Sequence, residues 1–153
     1  MLHIKLILGL VIAVCSLVDL SYESTPIKSC QDGPTPFDVR VKDCSGLPCE
    51  LHRGTNVSAE WDFAVAQATT KLKPRVRAEV AGVVVNYPFP QEDACTSLAS
   101  GKCPLNTGDQ ATYELSMPIL KIYPKISLTI EFAFLNDGDQ VVVCFKLPAK
   151  VVD

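Results

Sequence analysis

The residue types best equipped for chemistry in this chain are its cysteines, a lone histidine and a few neighbouring carboxylates. Cys30, Cys44, Cys49, Cys95, Cys103 and Cys144 lie in the body of the chain, and a seventh, Cys15, lies in its first twenty residues. No Cys-x2-Cys pair occurs, and His52 is the one histidine beyond His3, so a zinc site lacks both its spacing and its imidazoles. An even cysteine count in an exported chain reads instead as a disulfide framework. Cys44 and Cys49 bracket four residues that include Pro48, and Cys95 and Cys103 bracket seven around Gly101. Each spacing predicts a local loop and leaves Cys30 and Cys144 to join the two ends, although spacing alone keeps other connectivities open. Hydrolytic chemistry of the serine type needs a histidine base, and His52 stands alone beside Arg53-Gly54. The chain has no Gly-x-Ser-x-Gly, phosphate loop or His-Glu-x-x-His. Glu92-Asp93 and the Asp137/Asp139 pair sit in turn-like segments, where solvated charge is the ordinary role. No catalytic residue, no metal and no cofactor are expected.

Two further features could serve recognition. Lys71, Lys73, Arg75 and Arg77 alternate with Leu72, Pro74 and Val76, so at a period of two they share one strand face. Such a stripe serves either as a solvated outer face that discourages edge pairing or as a patch for an anionic membrane surface or an acidic membrane receptor. Asn56-Val57-Ser58 is the single glycosylation sequon, which makes Asn56 the candidate site in an exported chain.

The chain has 153 residues, of which 48% are hydrophobic and 20% charged, enough to bury a core. Fourteen basic and 17 acidic residues leave a net charge of −3, the wrong sign for a nucleic-acid partner. Lys5 precedes thirteen uncharged residues, Leu6 to Val18, before Asp19. This is the pattern of a secretory signal and falls short of the ~20 residues a bilayer requires. Residues 1–16 are therefore expected to be a signal peptide, with cleavage between 15 and 21, and residues 17–153 a single domain that is secreted or lysosomal and monomeric.

The elements that must carry these residues alternate with a period of two. Gly54 to Val65 places Val57, Ala59, Trp61, Phe63 and Val65 on one face, and Ala111 to Ile119 does the same with Tyr113, Leu115 and Met117. Arg75 to Val85 reads as one strand with Val76, Ala78, Val80, Gly82 and Val84 inward. Lys125 to Phe134 turns Ile126, Leu128, Ile130 and Phe132 inward, and Gln140 to Val151 does so with Val143, Phe145 and Leu147. Asp38 to Lys42 is a shorter strand, Asn136-Asp137-Gly138-Asp139 a hairpin turn, and Tyr87-Pro88-Phe89-Pro90 a strand end or edge loop. No helical pattern competes. The expected fold is all-β, an immunoglobulin-like sandwich of two antiparallel sheets. Periodicity cannot distinguish a packed interior from a hollow one, so a ligand-free adhesion or immune-recognition sandwich with a solid core stays open beside a carrier.

One combination of residues goes further. Lys42-Asp43-Cys44, Leu47-Pro48-Cys49-Glu50-Leu51-His52-Arg53-Gly54, Asp93-Ala94-Cys95, Cys103-Pro104-Leu105, Tyr123-Pro124 and Cys144-Phe145 together resemble the ML (lipid-recognition) domain family. Soluble Niemann-Pick type C carriers and the group 2 mite allergens belong to that family, and the present chain is most similar to its arthropod-type members. The resemblance runs from Cys30 to the C-terminus. It implies disulfides Cys30–Cys144, Cys44–Cys49 and Cys95–Cys103, and a hydrophobic cavity between the sheets that takes a sterol. Fatty acids and chemical signals are the alternative cargo in insect-type members. The ligand-binding residues it implies are Phe63, Tyr87, Ile119, Tyr123, Pro124, Phe132 and Phe145. Tyr87 stands where sterol-carrying members have Phe, and Phe132 and Phe145 stand where they have Trp, which implies a wider cavity. With no fixed charge on the inward faces, the ligand's polar head is expected near the mouth, close to Tyr123, while Trp61 and Val80 are expected to be ordinary packing.

Overall fold

In the computed structural model, residues 23–153 are described; the expected signal segment lies outside them. Ten strands follow one another: β1 (Lys28–Ser29), β2 (Asp38–Val41), β3 (Cys49–His52), β4 (Asn56–Ala64), β5 (Lys73–Val80), β6 (Val83–Tyr87), β7 (Leu98–Ser100), β8 (Gln110–Pro118), β9 (Ser127–Leu135) and β10 (Val141–Val152). A single 3-10 turn, Ala94–Ser97, interrupts them. The first sheet runs β1-β10-β9-β5-β6, and the second runs β2-β4-β8-β7. Together they form the two-layer all-β sandwich that the alternation predicts.

The register explains why the interior is apolar. Val76 opposes Phe132, which opposes Phe145 on the next strand, so one row of the first sheet is hydrophobic across three strands. In the second sheet Val39 opposes Trp61, which opposes Tyr113. These rows meet in an aromatic cluster, where the Trp61 ring lies 4.6 Å from Tyr113, 5.6 Å from Phe132 and 5.1 Å from Phe145. Phe134 joins it, stacked 5.6 Å from Trp61. The cluster fills one end of the sandwich with rings that touch both sheets. Disulfides link Cys30 to Cys144, Cys44 to Cys49 and Cys95 to Cys103.

Two elements depart from the expectations. The segment expected as one strand, Arg75 to Val85, is the β5–β6 hairpin, turned at Ala81 (φ 50°) and Gly82 (φ 81°). Positive φ at both central residues is what a I′ turn requires. The turn shifts the phase by one, which takes Val84 off the inward row and puts Val83 opposite Val80; at this end of the hairpin Val83, Val84 and Val85 are all exposed. The second departure is β3, which pairs in parallel with the end of β10, Leu51 opposite Val151. The sandwich is antiparallel apart from that pair.

The basic stripe is also resolved. The Arg77 Nε and Nη2 donate to Glu131 Oε1 at 2.8 and 2.5 Å, and Arg75 Nη2 donates to the same oxygen at 3.2 Å. Arg75 also reaches Asp32 at 3.1 Å, and Lys73 reaches Asp139 at 2.8 Å. Three of its four cations are thus matched by carboxylates of the same chain, with Glu131 buried among them. Arg75, Arg77 and Glu131 form an ion network on the outer face of the first sheet, and Lys73 pairs with Asp139 in the open. The buried Asn136 builds the β9–β10 turn, its Oδ1 accepting from the Gly138 and Gln140 amides at 2.9 Å each.

Candidate functional site

Where the aromatic cluster ends, the sheets part. An outer chamber of about 190 Å³ lies between the inner face of β5, β9 and β10 and the segment that leaves β8. Val76 and Ala78 of β5, Leu128 and Ile130 of β9, and Met117 at the end of β8 supply much of its wall. Leu51 and Val151 close it from the β3–β10 pair. Every lining side chain is apolar except for two phenol groups, those of Tyr87 and Tyr123. Beyond Leu51, Met117 and Ile130, which line both spaces, an inner chamber of about 20 Å³ reaches Trp61, Phe132 and Phe145.

The mouth is built by two chain segments held in place by backbone chemistry. Tyr87 ends β6, where Pro88 cannot continue the ladder. Tyr123 lies in the segment Ile119–Ile126, which leaves β8 and returns to β9. Arg53 and Gly54 anchor that segment: the Gly54 amide donates to the Ile119 carbonyl at 2.5 Å, and Arg53 Nη1 donates to the Tyr123 carbonyl at 3.2 Å. Gly54 has φ 82°, and a Cβ there would stand 3.0 Å from the Lys121 Cε, so both conformation and space call for glycine. Arg53 Nη2 also pairs with the Asp153 carboxylate. Across the mouth the Tyr87 and Tyr123 hydroxyls are hydrogen-bonded at 2.8 Å. Burial, and then the Tyr123 hydroxyl, push the Tyr87 phenol up to about 12, so it stays protonated throughout the physiological range.

The structure brings Tyr87, Ile119, Tyr123 and Pro124 together around the outer chamber and puts Phe132 and Phe145 on the inner one. Phe63 lines neither; it is buried with its ring 5.7 Å from Phe134, edge to face. Trp61, expected as packing alone, lines the inner chamber. Its indole stands beside Phe132 and Phe145 on the wall of that chamber, which measures about 20 Å³. Leu51 and Met117 were not legible as site residues, since each looks like any inward position of its strand. His52 is exposed, with Nδ1 2.8 Å from the Asp153 carbonyl oxygen. Cys30, Asp32 and Cys144 gather ligand atoms within 4.8 Å of one another, but the two sulfurs are bonded to each other. Asn56 opens β4 on an exposed position.

Comparison with known proteins agrees with this geometry. The family model described as ML domain matches residues 24–151. The chain belongs to the ML-domain family. Among relatives of this ML domain, "NPC intracellular cholesterol transporter 2 homolog a" of Drosophila melanogaster is 34% identical over 110 residues, covering 71% of this chain and 73% of that protein. The Danio rerio "NPC intracellular cholesterol transporter 2" is 29% identical over 147 residues, covering 94% and 97%. A group 2 mite allergen of Glycyphagus domesticus is 32% identical over 124 residues, covering 81% and 95%. The fold matches the crystal structure of a Niemann-Pick type C2 protein from Japanese carpenter ant with a TM-score of 0.76 at 24% identity, over 83% of this chain and 99% of that one.

Proposed function

We propose that this ML domain is a carrier that holds a hydrophobic lipid, a sterol or a fatty chain, between its sheets and passes it to membranes or receptors without covalent chemistry. The observation that carries this reading is the outer chamber: its walls are hydrocarbon on every side and its mouth is rimmed by two phenols. Burying apolar ligand surface there contributes roughly 25 cal/mol per Å² before the costs of association. The naming of relatives as cholesterol transporters supports a sterol. The volume supports a slender chain: 190 Å³ is below the ~300–1,000 Å³ common for ligand pockets, so a four-ring sterol needs the mouth segments to move apart. Three disulfides fit an oxidising compartment, and we place the carrier outside the cell or in the lysosomal lumen.

The test is solvent extraction of the protein as exported by cells, with mass spectrometry of the extract and titration of the stripped protein. A carrier yields a hydrophobic lipid and rebinds it saturably. An empty extract, with no saturable binding of either a sterol or a fatty acid, would leave a solid-core recognition sandwich in its place.

A further inference from the structure

Asn56-Val57-Ser58 is the chain's single Asn-x-Ser/Thr sequon, with valine and not proline in the middle, as an acceptor for N-linked sugar requires. What the sequence leaves open is where the fold puts it. β4 begins at Asn56 and alternates, so Ala59, Trp61 and Phe63 are buried on the inner face while Asn56 is exposed on the outer one. Asn56 stands opposite Pro118 of β8, and Ser58 opposite Ser116. Pro118 and Ser116 are exposed too, so short uncharged side chains floor this end of the outer face. Charge begins beside it, at Glu60 opposite Glu114 and at Lys42, whose amide donates to the Ser58 carbonyl at 2.9 Å. β2 and β4 pair from Asp38 opposite Asp62 to Val41 opposite Ala59, so Asn56 also stands beyond the stretch of β4 that β2 covers.

Met117 and Ile119, the chain neighbours of Pro118, line the outer chamber, so chamber and sequon lie on opposite faces of the second sheet. A glycan is bulky, hydrated and suited to a surface. On the outer face it meets solvent and short neighbours; on the inner face it would displace the chamber wall. We propose that Asn56 carries an N-linked glycan whose first sugars lie over Ser116 and Pro118, on the face of the second sheet turned away from the lipid. In the transfer, the Asn56 Nδ2 displaces a polyprenyl diphosphate from the anomeric carbon of a lipid-linked oligosaccharide. A C–N bond forms, the C–O bond breaks, the diphosphate leaves with the electron pair, and one amide proton passes to the transferase. The secretory route supplies that donor, so the inference rests on the carrier reading above for its export.

The protein as exported by eukaryotic cells is compared with Asn56→Gln, Ser58→Ala and Ser58→Thr by intact mass, before and after N-glycosidase. The parent and Ser58→Thr, which keeps the sequon, are expected to lose their sugar mass to the enzyme. Asn56→Gln and Ser58→Ala are expected at the mass of the bare chain. Cleavage in heavy-oxygen water marks the released site, and peptide mapping should find the label at Asn56 alone. If a variant is not exported, the peptide map of the parent decides. Trimming the folded parent should leave its affinity for a fluorescent sterol and a fluorescent fatty acid unchanged, because sugar and chamber occupy opposite faces. A parent exported at the bare-chain mass overturns the inference, as does sugar that persists in Ser58→Ala. A several-fold gain in lipid affinity on trimming overturns the placement. Binding of neither lipid, with the glycan present, contradicts the carrier reading and leaves the modification standing.

Discussion

At the scale of single residues, the carrier reading separates side chains that line the chamber from those buried only in the core. Tyr123 is half-buried at the mouth, whereas Phe63 is 1% exposed beneath Phe134 and lines neither chamber. Tyr123→Ala should therefore weaken lipid binding several-fold while moving the melting temperature little. Phe63→Ala should cost about 3–5 kcal/mol of stability and leave the affinity of the folded fraction unchanged. Lipid titration and thermal melting on both variants check this, and the reverse pattern would exchange their roles. A second prediction concerns Asp62, whose carboxyl is held below the usual carboxylate range chiefly by the Arg40 guanidinium, against the effect of burial, with the Thr112 hydroxyl helping. A depressed folded value stabilises above the unfolded carboxylate value, near pH ~3.9, and that stability is lost as pH falls through the folded value. The melting temperature should thus hold from neutral pH down to roughly pH 4 and then drop. Asp62→Asn should start lower at neutral pH and drop less on the acid side.

At the scale of elements, the β5–β6 hairpin is the place where a local rule is strained. Ala81 adopts φ 50°, a region that costs an alanine about 1–2 kcal/mol and that asparagine tolerates. Ala81→Asn, which creates the Asn-Gly pair favoured in I′ turns, should raise stability by about 0.5–1 kcal/mol in chemical denaturation. No gain would mean the turn is held by its strands alone. This hairpin also shows where sequence reading stops. Strands β4 and β8 were legible because each alternates apolar and polar residues, and β9 and β10 because the same alternation marks their inward rows even where both of their faces are buried. The run of valines through Val83–Val85 hid the turn, since Ala81-Gly82 continues a small-apolar pattern without a break. β3 escaped notice because it is four residues long and its pairing with β10 is parallel, which leaves no hairpin signal between them. The mouth residues were reached through the family resemblance and not through periodicity. The inner chamber was invisible, because hollow and solid interiors share one alternation.

At the scale of the whole molecule, one end of the sandwich is packed with aromatic rings and the other is hollow. Ala78 stands on the wall of the hollow, facing Ile130 across the β5–β9 pair. Enlarging it probes both halves of that statement at once. In a solid core, Ala78→Phe would overpack and cost about 1–3 kcal/mol; in a hollow one, the ring fills space a ligand would otherwise take. The deciding measurement is titration of Ala78→Phe and the parent with a fluorescent sterol and a fluorescent fatty acid, with thermal melting of both. A hollow carrier should lose at least tenfold in affinity for both lipids, with the melting temperature unchanged or raised. Undiminished binding, joined to a clear fall in melting temperature, would contradict it: the interior would be solid at Ala78 and the lipid would sit elsewhere.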